Sequence, residues 1–204
     1  MDVSELDRWY RDNEAVDLLH SHDLTSDSLI VDIGSYVGKW IHKMNNMYGC
    51  KCIGVEPIEH FVKKSLENNF KRHGDCKIYN FALSVEDNGF SYISVNNDAS
   101  SIFKDFIDKE MLKIKTKNAK DFFTSIKKRI NVLQINAEGL EYLLIPYMVH
   151  NKLLDNVDFL QVQFHEFSEL DKKKARSCIK LIEENGFETK FDYNFVWYGA
   201  MKIQ

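Results

Sequence analysis

Asp32 closes an apolar run, Leu29-Ile30-Val31, and a glycine turn follows it, with Gly34 and Gly38 on either side of Tyr36. Glycine turns after buried strands commonly hold nucleotide phosphates, but this one is built differently. Tyr36 stands where a dinucleotide fingerprint has its middle glycine, and no Gly-Lys-Ser/Thr ending of a phosphate loop is present. A pyrophosphate calls for backbone N–H groups with no carboxylate beside them. Asp32 leading into the turn suits a ligand with a cationic end instead. Glu56 ends the next apolar run, Cys52-Ile53-Gly54-Val55, and a carboxylate there can accept hydrogen bonds from ribose hydroxyls. A ligand with a ribose and a positive sulfonium or amine but no phosphate is S-adenosyl-L-methionine, which is the cofactor these residues lead us to expect.

The elements that must position these groups follow from periodicity. "LIVDIG", "CKCIGVEP" and "KIYNFALS" are short, apolar and β-branched, as buried strands are. Between them, Trp40, Ile41, Met44, Met47 and Tyr48, then Ile58, Phe61, Val62, Leu66 and Phe70, recur at helical spacing. Residues 5–20 read as an N-terminal helix with Leu6, Trp9, Tyr10 and Val16 on one stripe, within an N-terminal segment 1–24. Residues 85–117 form an irregular insert. "GFSYISV" in it reads as a strand, "NNDASSIF" as a loop and "MLKIKTKNAKDFFTSI" as a strand entering a helix. Strand "INVLQINAEG", a helix over Leu140–Met148 bent or restarted by Pro146, and strand "NVDFLQVQFHEF" resume the alternation. A helix through Ala175, Cys178, Ile179 and Ile182 stops at Asn185-Gly186, and "ETKFDYNFVWYGAMKI" folds back as an antiparallel pair. The expected class is therefore α/β: one doubly wound domain over 1–204, mostly parallel, with helices on both faces. Acidic or hydrogen-bonding residues then collect at five successive strand ends: Asp32, Glu56, Asn80–Ser84, Asn136–Glu138 and His165-Glu166. Those ends are where open α/β sheets bind ligands.

Bulk composition narrows the classes. A 44% hydrophobic content supports a sizeable core and argues against disorder. A net charge of −4 carries no basic excess of the kind nucleic-acid binders show, so no nucleic-acid partner is expected. The run "DKKKAR" reads as a solvated helix face. Cys50, Cys52, Cys76 and Cys178 lack Cys-x-x-Cys spacing, which disfavours zinc and suits reduced thiols in a cytoplasmic setting. The opening residues are charged rather than apolar, and no run of about eighteen apolar residues suggests a membrane span.

Four blocks, "VDIGSYVGKW", "IGVEPIEHFVKKSLENN", "NFALS" and "LQINAEGLEYLL", give the chain a resemblance to the FkbM-type family of S-adenosylmethionine-dependent methyltransferases over roughly residues 29–187. The family's last block usually reads Lys-Ile-Asp-Val-Glu-Gly with an acidic residue two positions on. Here Gln134 and Asn136 replace the lysine and aspartate, while Glu138-Gly139 and Glu141 remain. The resemblance implies a class I methyltransferase sheet of seven strands and O-methylation of a sugar or glycan acceptor. It implies that Asp32, Gly34 and Gly38 hold the methionine end, with Tyr36 in the same turn. Glu56 would take the ribose, with Pro57 next to it, and Ala82 and Leu83 would lie beside the adenine. Asn136 would join the cofactor site.

Methyl transfer to a hydroxyl needs one proton removed. An ordinary histidine pKa of about 6.5 makes His165 the expected base, with Glu138 and Glu166 orienting it or acting themselves. Asn136, Glu138 and His165 are also the ligand types of a divalent-ion site, which is the less favoured alternative. Asp98, Ser100 and Ser101 in the polar loop are the expected sugar contacts. His20, His22, His42, His60, His73 and His150 are expected at the surface. The other readings are methylation of a non-sugar small molecule at oxygen or nitrogen, and a non-catalytic binding module. Asn136 keeps the module reading in play, and the paired Asp32 and Glu56 argue against it.

Overall fold

The computed structural model describes residues 4–69, 76–96, 99–101 and 111–203. In chain order its elements are α1 (Glu5–Val16), β1 (Leu29–Ile33), α2 (Lys39–Tyr48), β2 (Lys51–Val55), α3 (Glu59–Asn69), β3 (Cys76–Tyr79), β4 (Ala82–Ser84), β5 (Gly89–Asn96), β6 (Ala99–Ser101), β7 (Met111–Asn118), α4 (Ala119–Ser125), β8 (Ile130–Ile135), α5 (Glu141–His150), a 3-10 turn at Leu153–Asn156, β9 (Val157–Val162), α6 (Glu169–Glu184), β10 (Phe187–Tyr193) and β11 (Trp197–Lys202). Seven strands form one sheet in the order β10-β11-β9-β8-β1-β2-β3. β11 pairs antiparallel with both β9 and β10, and the remaining pairings are parallel. This is the doubly wound, mostly parallel class that the alternating elements predict, closed by the antiparallel strand pair.

β1, an interior strand, is buried along its whole length, and its alternate side chains serve two cores. Ile30, with Cys52 and Val132, packs under Trp40, Ile41 and Met44 of α2. Val31 and Ile33, with Leu133 and Ile135, pack against Leu144, Ile145 and Met148 of α5 and Cys178 and Ile182 of α6. Each such fully buried aliphatic side chain contributes about 1.5–3 kcal/mol. From β1 the chain winds outward through β2 and β3 on one side, and later through β8 and β9 on the other. The reversal falls between β1 and β8, which places a ligand crevice beyond their carboxyl ends.

Several expectations are corrected. "KIYNFALS" is not one strand: it breaks at Asn80-Phe81. The Asn80 side chain donates to the carbonyls of Glu56 (3.1 Å) and Pro57 (3.0 Å), and this coincides with the turn of the chain out of the main sheet. β4 then joins a second sheet, ordered β4-β7-β5-β6. That sheet packs through Ile93 and Ile114 on Ile58, at the start of the segment leading into α3. The loop expected at "NNDASSIF" contains β6, paired antiparallel with β5. α1 stops at Asp17, whose φ of 51° is left-handed, and Leu6 and Tyr10 are exposed. Trp9 alone of that stripe is shown buried, against Phe191 and Tyr193. α5 runs continuously through Pro146 instead of restarting there. Asp171 is not part of a solvated face: buried, it completes a capping box with Ser168 at the start of α6. His42 is buried rather than at the surface, and His20 and His22 are half-buried. His73 lies outside the described residues.

Candidate functional site

The turn after β1 is held by its backbone. The N–H groups of Gly34 and Ser35 both donate to the Val55 carbonyl, at 2.9 and 3.1 Å, and the Asn136 N–H donates to the Ile33 carbonyl at 2.9 Å. Gly34 has φ +84°, and a Cβ there would stand 1.9 Å from the Asn136 carbonyl oxygen. No other residue fits that approach between the ends of β1 and β8. Tyr36 is left-handed at φ 49°, and its N–H donates to Glu56 Oε2 at 2.9 Å. Its ring meets Phe61 edge-on at 4.4 Å. Gly38, at φ +75°, opens α2.

Glu56 is buried. Its second oxygen, Oε1, accepts from the Ile58 N–H at 2.9 Å. Burial pushes its carboxyl up to about 7, against the lowering effect of these two backbone donors. A carboxylate has about four lone-pair sites, so each oxygen retains acceptor capacity. Glu56 faces a cavity of about 440 Å³ at the strand-order reversal. Gly34 and Tyr36 form one side, Pro57 and Ile58 a second, Ala82–Asp87 a third, and Asn136–Glu138 a fourth. The second sheet closes it with Ser91, Ile93, Ile114 and Thr116. Of the expected cofactor residues, Gly34, Tyr36, Glu56, Pro57, Ala82, Leu83 and Asn136 come together here.

Asp32 does not line this cavity. It lies buried within the sheet, opposite Gln134 in the β1–β8 register. Gln134 Nε2 donates to Asp32 at 3.0 Å, and Gln134 Oε1 accepts from Gln161 Nε2 at 2.6 Å. Burial pushes the Asp32 carboxyl up to about 7; Gln134 opposes the shift and the charge of Glu56 adds to it. Asp32 is therefore a buried group inside the sheet, without contact with the cavity wall. The pairing with Gln134 depends on which strand lies beside β1, so one strand's sequence cannot reveal it.

The expected catalytic group is rearranged more deeply. Glu141, fully buried, accepts from the Gly139 N–H at 2.8 Å through one oxygen. Its other oxygen accepts from the His165 N–H at 2.9 Å and meets His165 Nδ1 at 2.9 Å. His165 Nε2 stands 3.4 Å from Glu138 Oε1. Burial alone would lower the His165 pKa, but hydrogen bonds to Glu138 and Glu141, with their charges, raise it to about 9. The raised pKa favours the protonated imidazole, and His165 does not line the cavity. Both ring nitrogens face carboxylates. Among the described residues, no group of three or more His, Cys, Asp or Glu is arranged to hold one.

Glu138, at φ 51° in the turn after β8, is the member of the expected trio that lines the cavity. Glu166 does not line it and pairs with Lys172 at 3.1 Å. Glu141 is the site residue that sequence reasoning passed over, although the motif spacing had already singled it out. Asp98 lies outside the described residues, and Ser100 and Ser101 form β6.

No protein-family model matches the chain, and no curated protein matches it in sequence. Solved structures share its fold. Fibrillarin from Aeropyrum pernix, in complex with natively bound S-adenosyl-L-methionine, is 13% identical with a TM-score of 0.54, covering 93% of this chain and 74% of its own. Magnesium protoporphyrin IX methyltransferase from Synechocystis, with bound cofactor, is 10% identical with a TM-score of 0.53, covering 98% and 82%. An rRNA methylase from Streptococcus thermophilus is 10% identical with a TM-score of 0.52, covering 100% and 99%. At these identities the likeness is one of fold. Among the described residues, no helix is long and apolar enough to cross a membrane.

Proposed function

We propose that this chain is an S-adenosyl-L-methionine-dependent methyltransferase acting on a hydroxyl of a sugar. The observation that carries the reading is Glu56: a buried carboxylate at the end of β2, facing a cavity at the strand-order reversal. The residues fit the cofactor. Glu56 would accept from the ribose hydroxyls, Pro57, Ile58 and Leu83 would flank the adenine, and the Gly34–Tyr36 turn would face the methionine end, with Asp32 beneath it. The bound cofactor supplies an electrophilic methyl group.

The remaining work is alignment and removal of one proton. Glu138 is the group we assign to accept the proton of the acceptor hydroxyl, because it borders the cavity and His165 does not. His165 becomes a positioning residue: anchored to buried Glu141, it fixes the direction of the Glu138 carboxylate. Ser84, Ser91 and Thr116, with Glu86 and Asp87, give the cavity the hydroxyl and carboxyl groups that a polyhydroxylated acceptor can pair with.

Calorimetric titration with S-adenosyl-L-methionine and S-adenosylhomocysteine tests the reading. Both should bind. Glu56→Ala should weaken binding tenfold or more, since hydrogen bonds to a charged group are worth about 1.5–3 kcal/mol. Glu138→Gln should keep cofactor affinity while turnover drops by about 10²–10⁴. Absence of binding by either ligand would overturn the enzyme reading, and an unchanged affinity in Glu56→Ala would overturn the ribose assignment.

A further inference from the structure

The second sheet has two faces of different chemistry. One, through Ser91, Ile93, Ile114 and Thr116, closes the cavity. On the other, Phe90 and Tyr92 of β5 stand 62% and 55% exposed. Their register partners on β7 are Lys115 and Lys113. The Lys113 ammonium lies over the Phe90 ring, 4.3 Å from its centroid, and Lys117 sits 5.7 Å from the centroid of Phe81. Lys113, Lys115 and Lys117 alternate along β7, so all three belong to the same face. Glu59, whose field Lys115 shares, has Lys63 as its ion-pair partner at 2.7 Å.

Two large exposed rings on an interior strand do not follow from packing. β5 lies between β7 and β6, and alternation would ordinarily put polar side chains on its solvent face. The local sequence Gly89-Phe90-Ser91-Tyr92-Ile93 follows the order glycine, aromatic, small, aromatic, aliphatic. RNA-recognition sheets display that order on a strand whose aromatics stack on successive bases. Asn88 stands in place of the usual leading Lys or Arg and Val95 in place of a closing aromatic, so here the positive charge comes from β7. The sheet's topology differs, since β4 pairs parallel with β7. The likeness is in the face alone.

We propose that this face, Phe90 and Tyr92 flanked by Lys113, Lys115 and Lys117, binds single-stranded nucleic acid. The rings lie two residues apart on one strand, about 7 Å; Tyr92 offers one stacking site, and Phe90 offers a neighbouring one as the Lys113 ammonium moves from its ring to a phosphate. The lysines repeat at the same pitch on the adjacent strand and pair with backbone phosphates. A neutral glycan has no use for the ammonium groups, whereas a ligand that is both planar and anionic uses rings and charges together. The chain's net charge of −4 does not oppose this, because the basic excess is local to one strand. Phe90 also borders the cavity, which brings the face and the cavity together. The binding claim stands without the methyl-transfer reading. Only the further step, that a sugar hydroxyl of the bound strand enters the cavity, rests on it.

Fluorescence anisotropy of labelled ten-nucleotide uridine RNA and thymidine DNA, on the full chain without cofactor, tests the proposal. At least one should bind at 50 mM salt, and any preference identifies which nucleic acid is the source. Tyr92→Ala should weaken binding about fivefold or more. Lys113→Gln with Lys115→Gln should reduce the slope of log affinity against log salt by about 1.4, at roughly 0.7 per phosphate contact on a single strand. Neither set of residues lines the cavity; circular dichroism and thermal unfolding of these variants report whether the fold is intact, and the lysine pair decides the matter should Tyr92→Ala not fold. The proposal is overturned if wild type binds neither strand, if folded Tyr92→Ala binds as wild type does, or if polygalacturonate displaces the strand with the same Tyr92 dependence, which would make the face one for acidic glycans. A chain that binds the strand and not the cofactor would sink the methyltransferase reading alone.

Discussion

His165 holds its proton between two carboxylates, and this sets a pH signature for one residue. Its pKa is raised from an ordinary 6.5 to about 9 in the folded chain. The folded state therefore binds the proton more tightly than the unfolded state does. The stabilisation is fully present below pH 6.5 and is lost as pH rises through 9. His165→Gln should cost about 3–5 kcal/mol at pH 6, the range for breaking a buried pair, with a smaller difference at pH 10. Thermal unfolding of both proteins across that range measures it, and a difference independent of pH would contradict the ion-pair account. Histidine next to glutamate at a strand end, read from sequence, suggested a base. Only the fold brings Glu141 and Glu138 to its two nitrogens, where their charges favour the protonated imidazole.

At the scale of elements, the caps and breaks carry the information. α6 starts at a reciprocal cap: the Ser168 side chain accepts from the backbone of the first turn, and Asp171 accepts from the N–H groups of Phe167 and Ser168 at 3.0 and 2.8 Å. Ser168→Ala should lower stability by about 1 kcal/mol. For a chain of this size that is a fall of about 2–4 °C in the melting midpoint, readable by circular dichroism. The strands β1, β2, β8 and β9 were legible because buried parallel strands read as apolar runs. The break between β3 and β4 was not. It coincides with hydrogen bonds from Asn80 to carbonyls at the end of β2, and nothing local to "KIYNFALS" announces them. The aromatic face of β5 was equally hidden: "GFSYISV" reads as a strand, but which of its sides meets solvent depends on what the second sheet packs against.

At the scale of the whole molecule, two carboxyl groups near the cavity share one behaviour. Asp32 and Glu56 are each pushed up to about 7, chiefly by burial. Because their folded pKa values lie above the unfolded ones, the folded chain binds more protons between about pH 4 and 7, and these two groups reduce stability as pH rises through that window. A cationic cofactor favours their ionised forms. Affinity for S-adenosyl-L-methionine should therefore increase from pH 6 to pH 8, with proton release that calorimetry in buffers of different ionisation enthalpy detects. Affinity that is flat over this range, with no proton released, would mean that neither carboxyl responds to the cofactor's charge.

The residue types at the strand ends, the glycine that only a close backbone approach requires, and the alternation of apolar runs with helical stripes were all determined by the sequence itself. They are local properties: burial periodicity and backbone freedom act within a few residues. The tertiary structure alone decided which of those strand ends share a wall. Asp32 went inside the sheet, Glu56 and Glu138 to the cavity, and His165 to a carboxylate clamp. Those outcomes depend on strand order and on contacts between residues far apart in the chain, where burial and charge are set jointly by several elements at once.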